Sequence, residues 1–127
     1  MNKIKNNRVL FTGGSGLLGK HMRKIVSDYI YISSKDCDLT KESEVHRMMK
    51  DVKPKIVIHA AARVGGIMEN IKYPVQYFEE NTLINTNILS KSHEFDVENF
   101  IGILSSCAYP DVFHSYPLNE DALFLGP

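Results

Sequence analysis

An excess of charge of either sign is missing from this chain: Lys+Arg and Asp+Glu stand at 15 each in 127 residues. It therefore offers no overall basic field to hold a nucleic acid backbone, and it has no acidic tail. Cysteine is scarce as well. The two cysteines, Cys37 and Cys107, are too few for a disulfide framework and suit a compartment that keeps thiols reduced. No apolar run approaches the roughly 20 residues that span a bilayer. The opening MNKIKNNRVL lacks the apolar centre of a secretory signal. The expectation is a soluble, cytoplasmic protein with neither a membrane nor a nucleic acid partner. What is present is ordinary for one globular domain, with 43% hydrophobic residues.

Apolar runs rich in β-branched and aromatic residues recur at 9–11, 29–32, 56–58 and 100–104, and read as buried strands. Helical patterns lie between them. Leu18, Met22, Ile25 and Val26 share one face, as do Val45, Met48, Met49 and Val52, with Thr40 as N-cap and Pro54 as stop. A longer pattern starts at Pro74, a residue suited to the first helical position, and runs towards Phe95. Its predicted core-facing residues are Val75, Phe78, Leu83, Ile88 and Leu89. Strand and helix alternate four times, which points to right-handed βαβ units in an α/β fold with a Rossmann-type parallel sheet. Beyond Tyr109 the chain turns loop-like, with Pro110, Pro117, Gly126 and Pro127.

Gly13, Gly16 and Gly19 form GxxGxxG directly after the first strand and at the start of an amphipathic helix. Spacing alone is a weak signal; the strand-to-helix context carries the inference. Gly13 suits the tight turn, Gly16 lets a pyrophosphate approach the backbone, and Gly19 permits close helix packing. Ser15, Leu17 and Leu18 complete the candidate cradle, where a helix N-terminus presents free N–H groups and partial positive charge. An ordinary strand-to-helix turn is the alternative. With Thr12 before it, this form of the motif resembles the extended short-chain dehydrogenase/reductase superfamily. The choice of dinucleotide is made near the end of the second strand. There Ser33, Ser34 and Lys35 favour the 2′-phosphate of NADP, while Asp36, one step past the lysine, argues less strongly for NAD. Asp38 and Leu39 resemble the superfamily's adenine-edge contact; Asp38 reads equally well as a turn residue at helix entry.

Four strings then follow in order: SSKDCDL at 33–39, HAAARVGGI at 59–67, NIKYP at 70–74 and SSCAYPD at 105–111. Together they resemble the GDP-L-fucose synthase family, the GDP-4-keto-6-deoxymannose 3,5-epimerase/4-reductases, over essentially the whole chain. The VGG segment with the later Ser-x-Cys and Tyr-Pro is more specific than the glycine turn. The resemblance implies an NADP-dependent epimerase-reductase acting on a GDP-sugar. By it, Ser105 hydrogen-bonds the substrate's C4 oxygen and polarises the keto group for hydride attack. Cys107 transfers protons at C3 and C5, carbons made acidic by the neighbouring carbonyl and within reach of an activated thiolate. Without the resemblance, Ser105 is a serine satisfying backbone groups at a strand end, and Cys107 a small buried residue.

Ala61 and Ala62, for the cofactor, and Val64, Gly65 and Gly66, for the substrate, follow the third strand at the carboxyl edge where ligands sit in open α/β sheets. Tight packing of a loop under the long helix is the competing account. Asn81 resembles the superfamily asparagine of the active-site hydrogen-bond relay, or is simply a polar residue on an exposed helix face. His59 reads as a satisfied structural histidine. Family members are homodimers built in part on the long helix, so a homodimer is the implied assembly of the complete enzyme.

The reductases' Tyr-x-x-x-Lys pair, in which lysine lowers the pKa of a proton-donating tyrosine, has no helical match in these residues. Tyr31 and Lys35 match the spacing literally, but four residues of extended chain span about 13 Å. The family's epimerisation histidine is likewise expected downstream, and His114, in a Pro-flanked loop, reads as solvated surface. Residues 1–127 are thus expected to be the N-terminal portion of an NADP-binding Rossmann domain, the first four βα units without the carboxyl-terminal substrate lobe, and inactive alone. Residues 100–104 would then form an apolar strand open to edge pairing. Two further readings remain, a non-catalytic dinucleotide-binding module and another NDP-sugar epimerase or dehydratase.

Overall fold

The structure, a computed structural model, describes residues 8–110 and 117–124. The chain runs β1 (Val9–Thr12), α1 (Leu17–Ile25), β2 (Ile30–Ile32), α2 (Glu42–Val52), β3 (Ile56–His59), α3 (Ile67–Lys72), α4 (Pro74–Glu94) and β4 (Asn99–Gly102), followed by short 3-10 turns at Ser106–Ala108 and Glu120–Phe124. All pairings are parallel, in the order β2-β1-β3-β4. The α/β class and the four parallel strands are as the apolar runs predict. All four residues of β1 are buried, because a central parallel strand is covered on both faces.

Strand order reverses between β1 and β3. The crossover through α1 carries the chain to one side of β1 and the crossover through α2 brings it back to the other. The carboxyl ends of β1 and β3 therefore open a crevice, the usual ligand position in such sheets. Leu10, Val57 and Ile32 from the sheet, Val45 and Met49 from α2 and Ile88 from α4 form the core on one face. On the other face the Phe11 ring lies 5.2 Å from that of Tyr31, and the Arg23 guanidinium of α1 covers Tyr31 at 4.6 Å.

Several local expectations are corrected. Thr40 is not the N-cap of α2; Lys41 is. Thr40 instead gives its hydroxyl and N–H to Asp38 Oδ1, at 2.7 and 3.1 Å. The helix stops as expected before Pro54, with Lys53 in the left-handed region at φ 48°. In α1, Met22 and Val26 are half-buried but Ile25 is 78% exposed. Helix α4 starts at Pro74 as predicted, yet of its five expected core residues only Ile88 is buried; Val75, Phe78, Leu83 and Leu89 are exposed. The covered face carries Tyr77, Asn87, Lys91 and Ser92 instead. Its polar groups are all paired: Asn87 donates to Leu39 O at 2.9 Å, Ser92 to Ile88 O at 2.7 Å, and Lys91 meets Glu42 and Glu94. Helix α3 is unforeseen. His114 lies outside the described residues.

Candidate functional site

At the switch point a cleft of 520 Å³ opens between the glycine turn, the end of β2 and the segment after β3. Gly13 has φ +76°, and a Cβ there would come 2.7 Å from Ala60 O. A Cβ on Gly19 would meet Gly13 O at 2.5 Å, so both glycines are required by contact, and Gly13 by conformation as well. Gly14, to which the motif's spacing assigns nothing, is equally constrained. Its Cβ would sit 2.9 Å from that of Tyr31, and its N–H donates to Ile32 O at 2.7 Å. Gly16 caps α1 without a side-chain bond, and the first turn holds no acidic residue. The N–H groups of that turn have no partner within the helix, as in any helix start, and face the cleft with the positive end of the dipole. Gly13, Ser15, Gly16, Leu17 and Leu18 line it; Gly19 sits behind.

At the end of β2, Ser33 and Ser34 line the cleft, whereas Lys35 and Asp36 do not. Asp36 Oδ2 accepts from both the N–H and the hydroxyl of Ser33, at 2.8 and 2.7 Å. Those bonds, the hydroxyl first, hold its carboxyl below the usual carboxylate range. The acid that argued for NAD is thus folded back onto its own turn. Asp38 anchors Thr40 and Lys41 at the entry to α2, as a turn residue there would, and it also lines the cleft. The bond from the Thr40 hydroxyl is the main reason its carboxyl is held below the ordinary value. Beside it are the buried Leu39 and Cys37, whose thiol burial pushes up.

The far wall is the backbone after β3. Ala60, Ala61, Ala62, Arg63 and Val64 line it, with Glu80 and Ile84 of α4. His59 is buried, and burial holds its imidazole below the ordinary value. It contacts Thr12 Oγ1 through Nδ1 at 2.7 Å and Asn85 Oδ1 through Nε2 at 2.9 Å. Asn81 does not line the cleft. Its Oδ1 accepts from Arg63 N–H at 2.8 Å, and its Nδ2 donates to the carbonyls of Arg63 and Tyr77 at 3.0 and 2.9 Å. The Arg63 guanidinium pairs with Glu80 and covers the Tyr77 ring at 4.5 Å. Gly65 is small for packing, since a Cβ would come within 2.1 Å of the Tyr77 hydroxyl, while Gly66 has nothing within 4 Å. Neither lines the cleft. The sequence reading missed Gly14, Cys37, Thr40, Ala60, Arg63, Glu80 and Ile84. Only Arg63, a charged residue inside an otherwise small-residue loop, carries a visible signal.

Ser105 and Cys107 follow β4, exposed and outside the cleft lining. Ser105 caps the 3-10 turn, its Oγ accepting from Cys107 N–H at 3.1 Å. Cys107 is a free, exposed thiol. No group of metal-ligating side chains occurs among the described residues.

The reversal of strand order, the glycine turn and the helix N-terminus at the cleft define a Rossmann-type nucleotide-binding domain. More narrowly, the chain belongs to the NAD dependent epimerase/dehydratase family, whose sequence model matches residues 9–127. It is 41% identical over 126 residues to a GDP-L-fucose synthase of Dictyostelium discoideum and 35% identical over 127 residues to a probable GDP-L-fucose synthase of Drosophila melanogaster. Each alignment takes in 94% of this chain and 39% of the relative, so the chain spans about two fifths of the length of these curated relatives. Among solved structures, a GDP-L-fucose synthetase from Naegleria fowleri bound to NADP superposes with a TM-score of 0.81 at 34% identity, over all of this chain and 42% of the other.

Proposed function

We propose that this chain is the cofactor-binding part of an NADP-dependent enzyme that epimerises and reduces GDP-4-keto-6-deoxymannose to GDP-L-fucose. The observation that carries the reading is the cleft wall at the end of β2, where Ser33 and Ser34 stand and Asp36 is turned away. This polarity suits a 2′-phosphate better than a 2′-hydroxyl. The pyrophosphate would lie against Gly16 and the N–H groups that open α1, the adenine beside Asp38 and Leu39, and the nicotinamide ribose over Ala61 and Ala62. Bound NADPH supplies the hydride for C4.

Ser105 fits the proposed polarising role. Its oxygen accepts from Cys107 N–H, which leaves its own hydroxyl proton free to donate to a C4 oxygen. Cys107, exposed beside it, is proposed to move protons at C3 and C5, with the sugar near Val64, Gly65 and Gly66. Asn81 supports this side of the cleft by fixing the backbone of Arg63. The exposed apolar face of α4, Val75, Phe78 and Leu89, supports a homodimer. No helix among the described residues is long and apolar enough to cross a membrane, and the free thiols suit the cytoplasm as the proposed compartment.

Calorimetric titration with NADP and NAD, followed by an NADPH oxidation assay with GDP-4-keto-6-deoxymannose, tests the reading. NADP should bind more tightly, and the 127 residues by themselves should oxidise NADPH only at background. Tighter binding of NAD would remove the role given to Ser33 and Ser34; turnover would remove the dependence on a Tyr-x-x-x-Lys pair.

A further inference from the structure

We infer that His59 is a positioning residue for the cofactor, fixing the floor of the cleft as a neutral ring that carries its proton on Nε2. The inference rests on the cleft being the NADP site.

Three elements meet at this ring: Thr12 ends β1, His59 ends β3 and Asn85 lies in α4. Asn85 Oδ1 can only accept, so Nε2 must be the donor across the 2.9 Å contact. The bare Nδ1 then accepts the Thr12 hydroxyl proton at 2.7 Å. The two lone pairs of Thr12 Oγ1 take the N–H groups of Ala60 and Ala61, each at 3.2 Å. Every donor and acceptor of the Thr12 hydroxyl and the His59 ring is used once, and no buried side-chain polar atom among the described residues lacks a partner.

This saturation makes the arrangement intolerant of a second proton. An Nδ1–H would face an oxygen whose lone pairs are both committed, so the N–H of Ala60 or Ala61 would have to be released. Both residues line the cleft, and Ala60 O is the atom nearest the space that a Gly13 Cβ would fill. A shift of this floor therefore reaches the phosphate-binding turn directly. The groups that face the ring are Thr12 from β1, Asn85 from α4 and Phe100 from β4, whose ring centroid is 6.0 Å away. None of the three is charged; the Asn85 hydrogen bond alone favours an imidazolium, and burial of the ring outweighs it.

The test combines the ¹⁵N shifts of the His59 ring with NADP affinity by calorimetry between about pH 5 and 8, in the wild-type protein and in Asn85→Asp. The variant keeps an acceptor for Nε2–H and adds a negative charge that raises the ring's pKa. The 2′-phosphate titrates near pH 6 by itself, so the readout is the difference between the two proteins. Expected are a neutral Nε2–H ring at about pH 7.5, an affinity loss of about fivefold below the His59 midpoint, and both midpoints moving up together in the variant. Independently of that variant's folding, Thr12→Val should weaken NADP about fivefold at pH 7.5 while Thr12→Ser restores it. An Nδ1–H or charged ring at that pH, or an affinity midpoint that stays put while the His59 midpoint moves, would overturn the inference. Failure of NADP to bind a wild-type protein with the stated tautomer would overturn the cleft reading, and this inference with it. NADP binding that is indifferent to His59 would overturn the positioning role alone.

Discussion

Two glycines flanking the cleft differ by what a single methyl group would meet. At Gly19 it would press on Gly13 O at 2.5 Å, backbone against backbone, with no flexible side chain to yield. Gly19→Ala should lose about 1–3 kcal/mol in denaturant unfolding and most of its NADP affinity. Gly66→Ala, with open space around the added carbon, should change stability by less than about 0.5 kcal/mol. His59 supplies the pH dependence. Its ordinary value is 6.5 and the buried ring sits lower, so between the two values the unfolded chain binds more protons and stability rises with pH. Its contribution is complete above about 6.5 and is lost as pH falls through the folded value. Asp36 and Asp38, lowered from 3.8, act in the same direction only at more acid pH. Urea unfolding should therefore give a smaller free energy at about pH 5.5 than at 7.5; equal values would contradict the buried neutral ring.

Helix ends and faces divide what the sequence reveals from what it hides. The C-cap of α2 is Lys53 at φ 48°, a conformation in which glycine is at ease and a side chain is strained. Lys53→Gly should raise the unfolding free energy by about 0.5–1 kcal/mol, an increase read from the same denaturant curves. Strand β1, the glycine turn and α1 are legible because an apolar run, three glycines and a helical pattern follow one another directly in the sequence between Val9 and Val26. The face of α4 is not, because apolar side chains lie on both sides of it and the covered side is partly polar. Asn87 and Lys91 are tolerated inside only through Leu39 O and Glu42, partners supplied by other elements. Helix α3 has six residues, too few to show a period, and Gly14 was hidden by a pattern that counts every third residue. His59 was recognised as structural, but its partners stand 47 and 26 residues away, beyond any local pattern.

Among the described residues, large apolar side chains stay uncovered on several surfaces, α4 and the β4 edge included. Val75 and Phe78 stand out from α4, 67% and 76% exposed, and Ile103 and Leu104 follow β4 at the sheet edge, 54% and 74% exposed. Apolar surface of this kind drives association. Sedimentation of Phe78→Glu and Leu104→Lys should show less concentration-dependent association than wild type, with the circular dichroism unchanged because neither side chain contributes to the core. Undiminished association would locate the contact elsewhere.

The sheet order also sets the sequence of folding events. The β1–β3 ladder ties Thr12 to His59, so on the ribosome the glycine turn is made well before the strand that braces it. Until β3 arrives, the turn has neither Ala60 to pack against nor His59 to hold Thr12, and α1 has no second wall to face. Nonlocal pairing of this kind slows folding, and it delays cofactor capture to a late step. A nascent chain or peptide ending before β3 would carry the complete glycine motif and still make no pocket.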